Sequence, residues 1–321
     1  MKDKYERNID YIRISVTDRC NLRCRYCMPD EQVPVLPDGE LLSFEEIERV
    51  CRILPKVGIR RIKLTGGEPL MRKDIAELIT RLKKVEGIEQ VTLTTNGTLL
   101  ADRIKELEAA GIDGINVSLD TLDPERFGHL TQRRRLEDVL RGIKALQTSD
   151  IPRIKLNCVP MEEINGDELA RLAALAKDSR LAVRFIEMMP VGNGQQWTMI
   201  PEQTVKDRLT AAFGPMTPAK GSFGSGPAAY YMLPGFRSPV GFISAMSHMF
   251  CSSCNRIRLT PDGFLKSCLF FGGGTDLKHL LRSGADEELL DAAVRETIWE
   301  KPRQHPDGQA EENRKMYQIG G

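Results

Sequence analysis

The sequence predicts an α/β fold on a parallel sheet, and two observations carry that reading. From residue 10 to about 190, short apolar runs of strand length alternate with amphipathic stretches of helix length, the pattern of repeated βα units. Gly58, Gly87 and Gly111 then fall where the helices should stop, as residues free to take the left-handed cap conformation.

Six units emerge. The expected strands are Tyr11–Val16, Ile62–Thr65, Val91–Thr94, Gly114–Ser118, Ile154–Val159 and Val183–Glu187. Helical patterns lie between them at Ser43–Val57, Asp74–Lys84, Asp102–Ala110, Leu136–Thr148 and Asp167–Lys177. The first of these opens with Ser43-Phe44-Glu45-Glu46, a capping box in which hydroxyl and carboxylate satisfy each other's orphan amides. From Val191 the pattern turns to Gly, Pro and Met-rich segments with one helix, Pro201–Phe213, a loop-like tract Thr217–Gly226, and short strands Ala229–Leu233 and Val240–Ala245.

Composition narrows the function classes. Lys and Arg number 46 against 45 Asp and Glu, so no global field draws the chain to nucleic acid or an anionic membrane, and any anionic ligand must be held by local cations. No apolar run has the ~20 residues that span a bilayer, and the charged start Met1 to Arg7 lacks the core of a signal peptide. The expected compartment is a reducing cytoplasm. Eight cysteines there argue for metal or cluster ligation over disulfides. Cys51 continues the apolar series Phe44, Ile47, Val50 and Leu54 and reads as core.

Six of the eight form two triplets. Cys20, Cys24 and Cys27 follow the first strand with C-x3-C-x2-C spacing. An iron–sulfur cubane is normally held by four Cys, so three leave one iron open to a further ligand. A closed zinc knuckle is the alternative, but it wants a fourth ligand and no His or further Cys lies nearby. The second triplet is Cys251 and Cys254 with Cys268 following. Here His248 offers a fourth ligand, and spacing leaves zinc and a cluster both open.

Ligands of a parallel βα array bind at the carboxyl ends of its strands. Those ends carry Gly66-Gly67-Glu68-Pro69 after the second, Thr94-Thr95-Asn96-Gly97 after the third and Ser118-Leu119-Asp120 at the fourth. Lys155 and Asn157 lie on the fifth, and Glu187-Met188-Met189-Pro190 follows the sixth. Singly, such glycine pairs are ordinary turns. Gathered on one rim, they suit a nucleotide-like ligand approached by backbone.

The cysteine loop, with Tyr26 between its last two thiols, and Thr65-Gly66-Gly67-Glu68-Pro69, which resembles a "GGEP" motif, make the chain similar to the radical S-adenosylmethionine (SAM) superfamily. Within it the chain resembles the MoaA family of GTP 3′,8-cyclases, through Cys20 to Glu31, Leu64 to Arg72, Thr94 to Gly97, Arg184 to Gly194 and the second cysteine region. The resemblance implies an incomplete (β/α)6 barrel over residues 1–190, with an extension over 191–321 that carries a second cluster and closes the open side. It implies two 4Fe–4S clusters held by Cys20, Cys24, Cys27 and by Cys251, Cys254, Cys268. It places SAM contacts at Tyr26, Gly67, Ser118 and Met189, and GTP contacts at Arg13, Lys63, Thr94, Lys155, Arg256, Ile257 and Arg258.

The implied reaction is an early step of molybdenum cofactor biosynthesis. A deoxyadenosyl radical removes the C3′ hydrogen of GTP, and the C3′ radical attacks C8 to give (8S)-3′,8-cyclo-7,8-dihydroguanosine 5′-triphosphate. The implied partners are a flavodoxin- or ferredoxin-like electron donor, a downstream cyclic pyranopterin monophosphate synthase and a second copy in a homodimer, with no nucleic acid and no membrane. Lys63 stands where relatives usually carry Arg, which keeps the charge and loses the planar fork. The chain ends Gly320-Gly321, like a family tail that reaches into the chamber.

Two other readings use the same cysteines. A zinc-stabilised binding module would want a basic groove with aromatic platforms, which the near-neutral charge does not supply. A radical SAM peptide maturase also carries auxiliary clusters, but Asn255-Arg256-Ile257-Arg258 fits a nucleotide better than a peptide.

Overall fold

The computed structural model describes residues 1–28, 33–221, 223–305 and 314–320. The first six strands are β1 (Tyr11–Ser15), β2 (Arg61–Thr65), β3 (Gln90–Thr95), β4 (Gly114–Ser118), β5 (Arg153–Cys158) and β6 (Ala182–Ile186). After them come β7 (Thr217–Pro218), β8 (Ala229–Met232), β9 (Val240–Ile243), β10 (Arg256–Leu259), β11 (Phe264–Lys266) and β12 (Gly274–Asp276). The helices are α1 (Phe44–Ile53), α2 (Ile75–Lys83), α3 (Leu100–Ala109), α4 (Pro124–Thr131), α5 (Leu136–Gln147), α6 (Leu169–Ala174), α7 (Glu202–Phe213), α8 (Leu277–Arg282), α9 (Glu287–Trp299) and α10 (Met316–Ile319).

All twelve strands join in one sheet, ordered β12-β11-β10-β1-β2-β3-β4-β5-β6-β9-β8-β7. The run from β10 to β9 is parallel, and the outermost strands are antiparallel. The six expected units form its centre in sequence order. The extension contributes more than cover: β10 pairs with β1, Ile257 opposite Ile12, and β9 pairs with β6, Phe242 opposite Phe185.

The alternation of side chains along these strands explains the two faces. Ile12, Ile14, Ile62, Leu64, Ile154, Leu156, Val183, Phe185, Ile257 and Leu259 belong to one buried core. The intervening positions are Arg13, Lys63, Lys155, Arg184, Arg256 and Arg258, and successive residues of a strand point to opposite faces. One face therefore packs under helices, and the other is a polar channel.

Local signals explain most boundaries. The Ser43 hydroxyl accepts from the Glu46 amide (3.1 Å) and the Glu46 carboxylate from the Ser43 amide (2.8 Å), so the capping box is real. Helix α1 buries Ile47, Val50, Cys51 and Ile53 and tightens into a 3-10 turn, Leu54–Val57, before Gly58 at φ 84°. Gly87 and Gly111 take φ 85° and 74° as expected. Four helices go beyond the expected set: α4, opened by Asp123 and Pro124, the pair α8 and α9, which begin on the caps Asp276 and Asp286, and the single turn α10. The tract expected to be loop-like contains β7, and the expected helix Asp167–Lys177 is regular only over α6.

Candidate functional site

The first cysteine loop sits at the C-terminal end of β1, pinned by its neighbours. The Gly67 and Glu68 amides donate to the Thr17 and Arg19 carbonyls (2.6 and 2.7 Å). A Cβ on Gly67 would collide with the Arg19 carbonyl, so the glycine is required by close approach. Those amides are thereby used, and only carbonyls of the Gly66-Gly67 turn remain to accept from a ligand amine. Glu68, fully buried, accepts from Leu70 N (2.9 Å), Thr95 Oγ1 (2.7 Å) and Asn96 N (2.7 Å). Burial pushes it up to about 7 against those donors. Asn96 continues the network to Asn21 Oδ1 (2.8 Å) and to Cys20 Sγ (3.7 Å).

Tyr26 is held from the opposite wall. Its hydroxyl donates to Asp120 Oδ2 (2.8 Å), and Asp120 Oδ1 accepts from Val159 N (2.8 Å). Burial lifts Asp120 to about 6 despite both donors. Tyr26 also packs against the small apolar cluster of Leu130, Met161 and Ile164. Ser118 ends β4, half-buried.

The middle of the channel is a counterion-poor ring of cations. In register, Arg13 lies between Arg258 and Lys63, and Asn116 lies beside Lys155. Among the described residues no carboxylate pairs with Lys63, Lys155, Arg184 or Arg256. Arg184 binds Asn157 Oδ1 (3.0 Å). With its amide oriented to satisfy its neighbours, Asn116 accepts from Lys63 Nζ (2.6 Å) and Arg184 (3.0 Å). Thr94 lies one strand over, with its hydroxyl 3.4 Å from the Asn116 amide.

Burial, and then repulsion from Arg184, Arg13 and Lys155, drives Lys63 well below its ordinary value. Burial, Arg184 and Arg153 bring Lys155 down to about 7. Burial, Arg13 and Arg256 bring Arg258 down to about 9. Lys63 retains some exposed area, but it faces the channel rather than bulk water, which is why desolvation dominates. Lys63, Lys155, Arg184 and Arg256, with no carboxylate partner among the described residues, repel one another in a way that an anionic ligand relieves.

The second triad lies on the open side. The chain leaves β9, crosses to β10 and carries Cys251 and Cys254 on the way. Cys268 returns after β11, two residues beyond Lys266, which is opposite Arg258. The three thiols, Met189, Phe250, Arg256 and Arg258 line a cavity of about 70 Å³. His248 is not among the residues lining that cavity: its Nδ1 faces Glu202 (3.3 Å) and Ser247, and it is largely exposed. Glu187 fixes the crossing, accepting from the Met246 and Ser247 amides (2.9 Å each) and from Glu202 N (3.0 Å). Burial opposes its ionisation, but the donors, Ser247 first, hold it below its ordinary value.

The expected residues come together as two groups. Cys20, Cys24, Cys27, Tyr26, Gly67 and Ser118 gather around the C-terminal ends of the strands. Arg13, Lys63, Thr94, Lys155, Arg256 and Arg258 lie on the channel face, and Met189 is with the second triad. Ile257 is the exception in kind, since its side chain is fully buried in the core on the far face of β10 and only its backbone remains on offer. Residues 29–32 of the first motif lie outside the described residues.

Two family models cover this geometry. The radical SAM superfamily model matches residues 14–176, and the Molybdenum Cofactor Synthesis C model matches residues 181–306. A curated GTP 3′,8-cyclase of Pelotomaculum thermopropionicum is 45% identical over 325 residues, covering 100% of both chains. Another from Syntrophomonas wolfei is 46% identical over 328 residues, again 100% of both. The chain belongs to the radical SAM superfamily, in its GTP 3′,8-cyclase family. Its fold is also that of Streptococcus suis SuiB solved with S-adenosylmethionine, at TM-score 0.60 and 16% identity, covering 90% of this chain and 68% of that one.

A radical SAM chain needs an iron–sulfur cluster and SAM, and the first site fits both. Its three thiols are free and half-buried, and N–H groups approach the sulfurs, Leu22 N at 3.4 Å from Cys20 and Tyr317 N onto Cys27. Among the described residues no three His, Cys, Asp or Glu converge as single-ion ligands. Burial raises Cys20 to about 11 and Cys27 to about 12, and it holds Cys24 well above its ordinary value too. The second triad differs in its charges. Burial also opposes the Cys254 thiolate, but Lys301, Arg256 and Arg7 overcome it and bring Cys254 down to about 7.

Sequence reasoning passed over the cations that hold this radical SAM chain's second loop. Arg7, paired with Asp3, donates to the carbonyls of Cys251 (2.9 Å), Pro302 (2.7 Å) and Arg303 (2.8 Å). Lys301 donates to Arg256 O (2.9 Å) and Ser267 O, and the fully buried Lys266 to Phe271 O (2.6 Å). Only their burial, which the sequence does not display, marks them. Arg184 was within reach of sequence reasoning, as a lone cation at an inward position of β6.

Proposed function

We propose that this chain cyclises GTP to (8S)-3′,8-cyclo-7,8-dihydroguanosine 5′-triphosphate, for molybdenum cofactor biosynthesis. The observation that carries the reading is the counterion-poor cation ring set between two thiol triads in a chain alike to curated GTP 3′,8-cyclases from end to end. Cys20, Cys24 and Cys27 would hold one 4Fe–4S cluster, and Cys251, Cys254 and Cys268 a second. Bound there, the first cluster and SAM supply a 5′-deoxyadenosyl radical able to take a ribose hydrogen.

The protein's own residues bind and place. Tyr26, Gly67, Ser118 and Met189 border SAM, with the Gly66-Gly67 carbonyls accepting from its amine. Arg13, Lys63, Lys155, Arg256 and Arg258 neutralise the triphosphate, Thr94 meets the nucleotide, and Ile257 offers backbone. The guanine lies toward the second triad, which puts the ribose between the two sites. Such positioning supplies much of the rate of a reaction whose hard step belongs to the cofactor. Residues 191–321 act as the substrate-side domain and 1–190 as the SAM-side domain.

No helix among the described residues is long and apolar enough to cross a membrane. The reading places the protein in the reducing cytoplasm, drawing electrons from a flavodoxin- or ferredoxin-like donor, handing product to a cyclic pyranopterin monophosphate synthase and working as a homodimer. Anaerobic reconstitution tests it. Two cubanes give about eight irons per chain, with SAM- and GTP-dependent formation of the cyclised nucleotide. Stoichiometric zinc without visible charge-transfer absorption refutes it.

A further inference from the structure

Residues 223–228, ahead of β8, pass beneath the N-terminal ends of the central strands. Gly221 and Gly224 sit at φ 114° and 138°, where only glycine rests without strain. The Ser225 hydroxyl donates to Gln90 Oε1 (3.0 Å) at the start of β3. Its carbonyl accepts from Asn255 Nδ2 (3.2 Å), which also donates to Asp10 Oδ1 (2.6 Å) ahead of β1. Phe223 packs on Tyr230, ring centroids 4.9 Å apart.

Above this segment is a cavity of about 40 Å³ that Gly224 and Ser225 share with Lys63, Arg153, Lys155 and Arg184. No carboxylate lines it. The wall is one residue thick: a Cβ on Gly224 would stand 2.5 Å from Lys155 Nζ, yet Gly224 is exposed to solvent on its outer side.

We propose that residues 223–226 are the floor of the anion site and set the length of phosphate chain the barrel accepts. The inference rests on the GTP reading for the direction of the nucleotide, whose anionic end must point to the cations at the N-terminal ends of the strands. A terminal phosphate reaching Lys155 is stopped by Gly224, and a longer chain would have to displace the Ser225 to Gln90 and Ser225 to Asn255 hydrogen bonds. The missing side chain at 224 lets the Lys155 ammonium occupy the floor. Any larger residue there drives it back into the phosphate path.

Equilibrium binding to the reconstituted holoenzyme under anaerobic conditions tests the floor, with GTP, guanosine 5′-tetraphosphate, guanosine, inorganic triphosphate and inorganic tetraphosphate as probes. The wild type should bind the guanosine tetraphosphate at least about tenfold more weakly than GTP. Phe223→Ala and, independently, Ser225→Ala should bring that ratio to within about twofold. Gly224→Ala should weaken GTP about tenfold or more and leave guanosine unaffected. A tetraphosphate that binds the wild type as tightly as GTP, or a ratio that neither floor variant moves, overturns the proposal. If GTP fails to bind while the inorganic chains keep a floor-dependent ratio, the floor stands and the GTP reading falls.

Discussion

Lys155 gives the sharpest test of the cation ring, because its ionisation must change when an anion arrives. In the free protein burial, Arg184 and Arg153 hold it at about 7 instead of 10.5. At pH 8 roughly nine molecules in ten then carry it neutral, each pH unit being a factor of ten in the protonation ratio. A triphosphate beside it reverses the balance by adding negative charge, so binding restores the ammonium and takes up nearly one proton. The sign follows: GTP affinity is greatest near or below pH 7 and declines toward tenfold, or ~1.4 kcal/mol, per pH unit above it until the bound-state value is reached. Without GTP the folded chain holds fewer protons at this site than the unfolded chain between about 7 and 10.5, so this group makes stability rise with pH across that window. Titration calorimetry of GTP into holoenzyme at pH 8, in buffers of different ionisation enthalpy, reads the uptake directly. Lys155→Arg, which does not titrate, should bind GTP with the uptake smaller by nearly one proton, any remainder belonging to Lys63, which burial also holds below its ordinary value. Buffer-independent enthalpies for the native chain, or the same uptake in Lys155→Arg, would refute the reasoning.

The two thiol triads should fail differently: Cys24→Ala abolishes reductive SAM cleavage, whereas Cys254→Ala leaves uncoupled cleavage, measured as 5′-deoxyadenosine without cyclised product. Equal and complete loss in both would remove the division of labour. Arg256→Ala and Arg258→Ala should weaken GTP more than guanosine, by about 1.5–3 kcal/mol each where a charge-assisted hydrogen bond to phosphate is lost; equal effects on both ligands would place the phosphates elsewhere. Gly320, at φ 88°, accepts from Arg258 Nη1 (3.0 Å), and a Cβ there would stand 2.6 Å from Thr65 Oγ1. Gly321 itself lies outside the described residues. Deleting Gly320 and Gly321 should leave iron content, folding and SAM cleavage intact while cyclisation falls to near nothing; full cyclase activity in the shortened chain would make the contact incidental.

What the sequence made legible was what is local. The capping box at Ser43 and the Cys-rich loop after β1 are written in neighbouring residues, and both stand in the structure. The Asp123-Pro124 start of α4 was equally local and was overlooked. Nonlocal features were out of reach in principle. Nothing near Arg256 says that it will lie opposite Tyr11, so the extension read as a cover when its β9 and β10 are members of the sheet. The cation ring follows the same logic. Inward positions on single strands were readable, but Arg184 becomes a neighbour of Lys63 and Asn116 only through registers summed across several strands. Arg7 read only as part of a charged start, because its acceptors are backbone carbonyls, which no residue type announces.

The Arg7 clasp also bears on how the chain matures. The residues it joins are 244 positions apart at Cys251 and 296 at Arg303, contacts whose loop-closure cost must be met before they return anything. During synthesis the first thiol loop, β1, β2 and β3 are available early, and domains fold from the N-terminal side first. Arg7 waits, with Asp3 as its companion, until the last helices exist. The clasp on the second thiol loop can thus close only when nearly the whole chain exists, and the first loop, whose Cys27 meets the Tyr317 amide, gains its last contact no earlier.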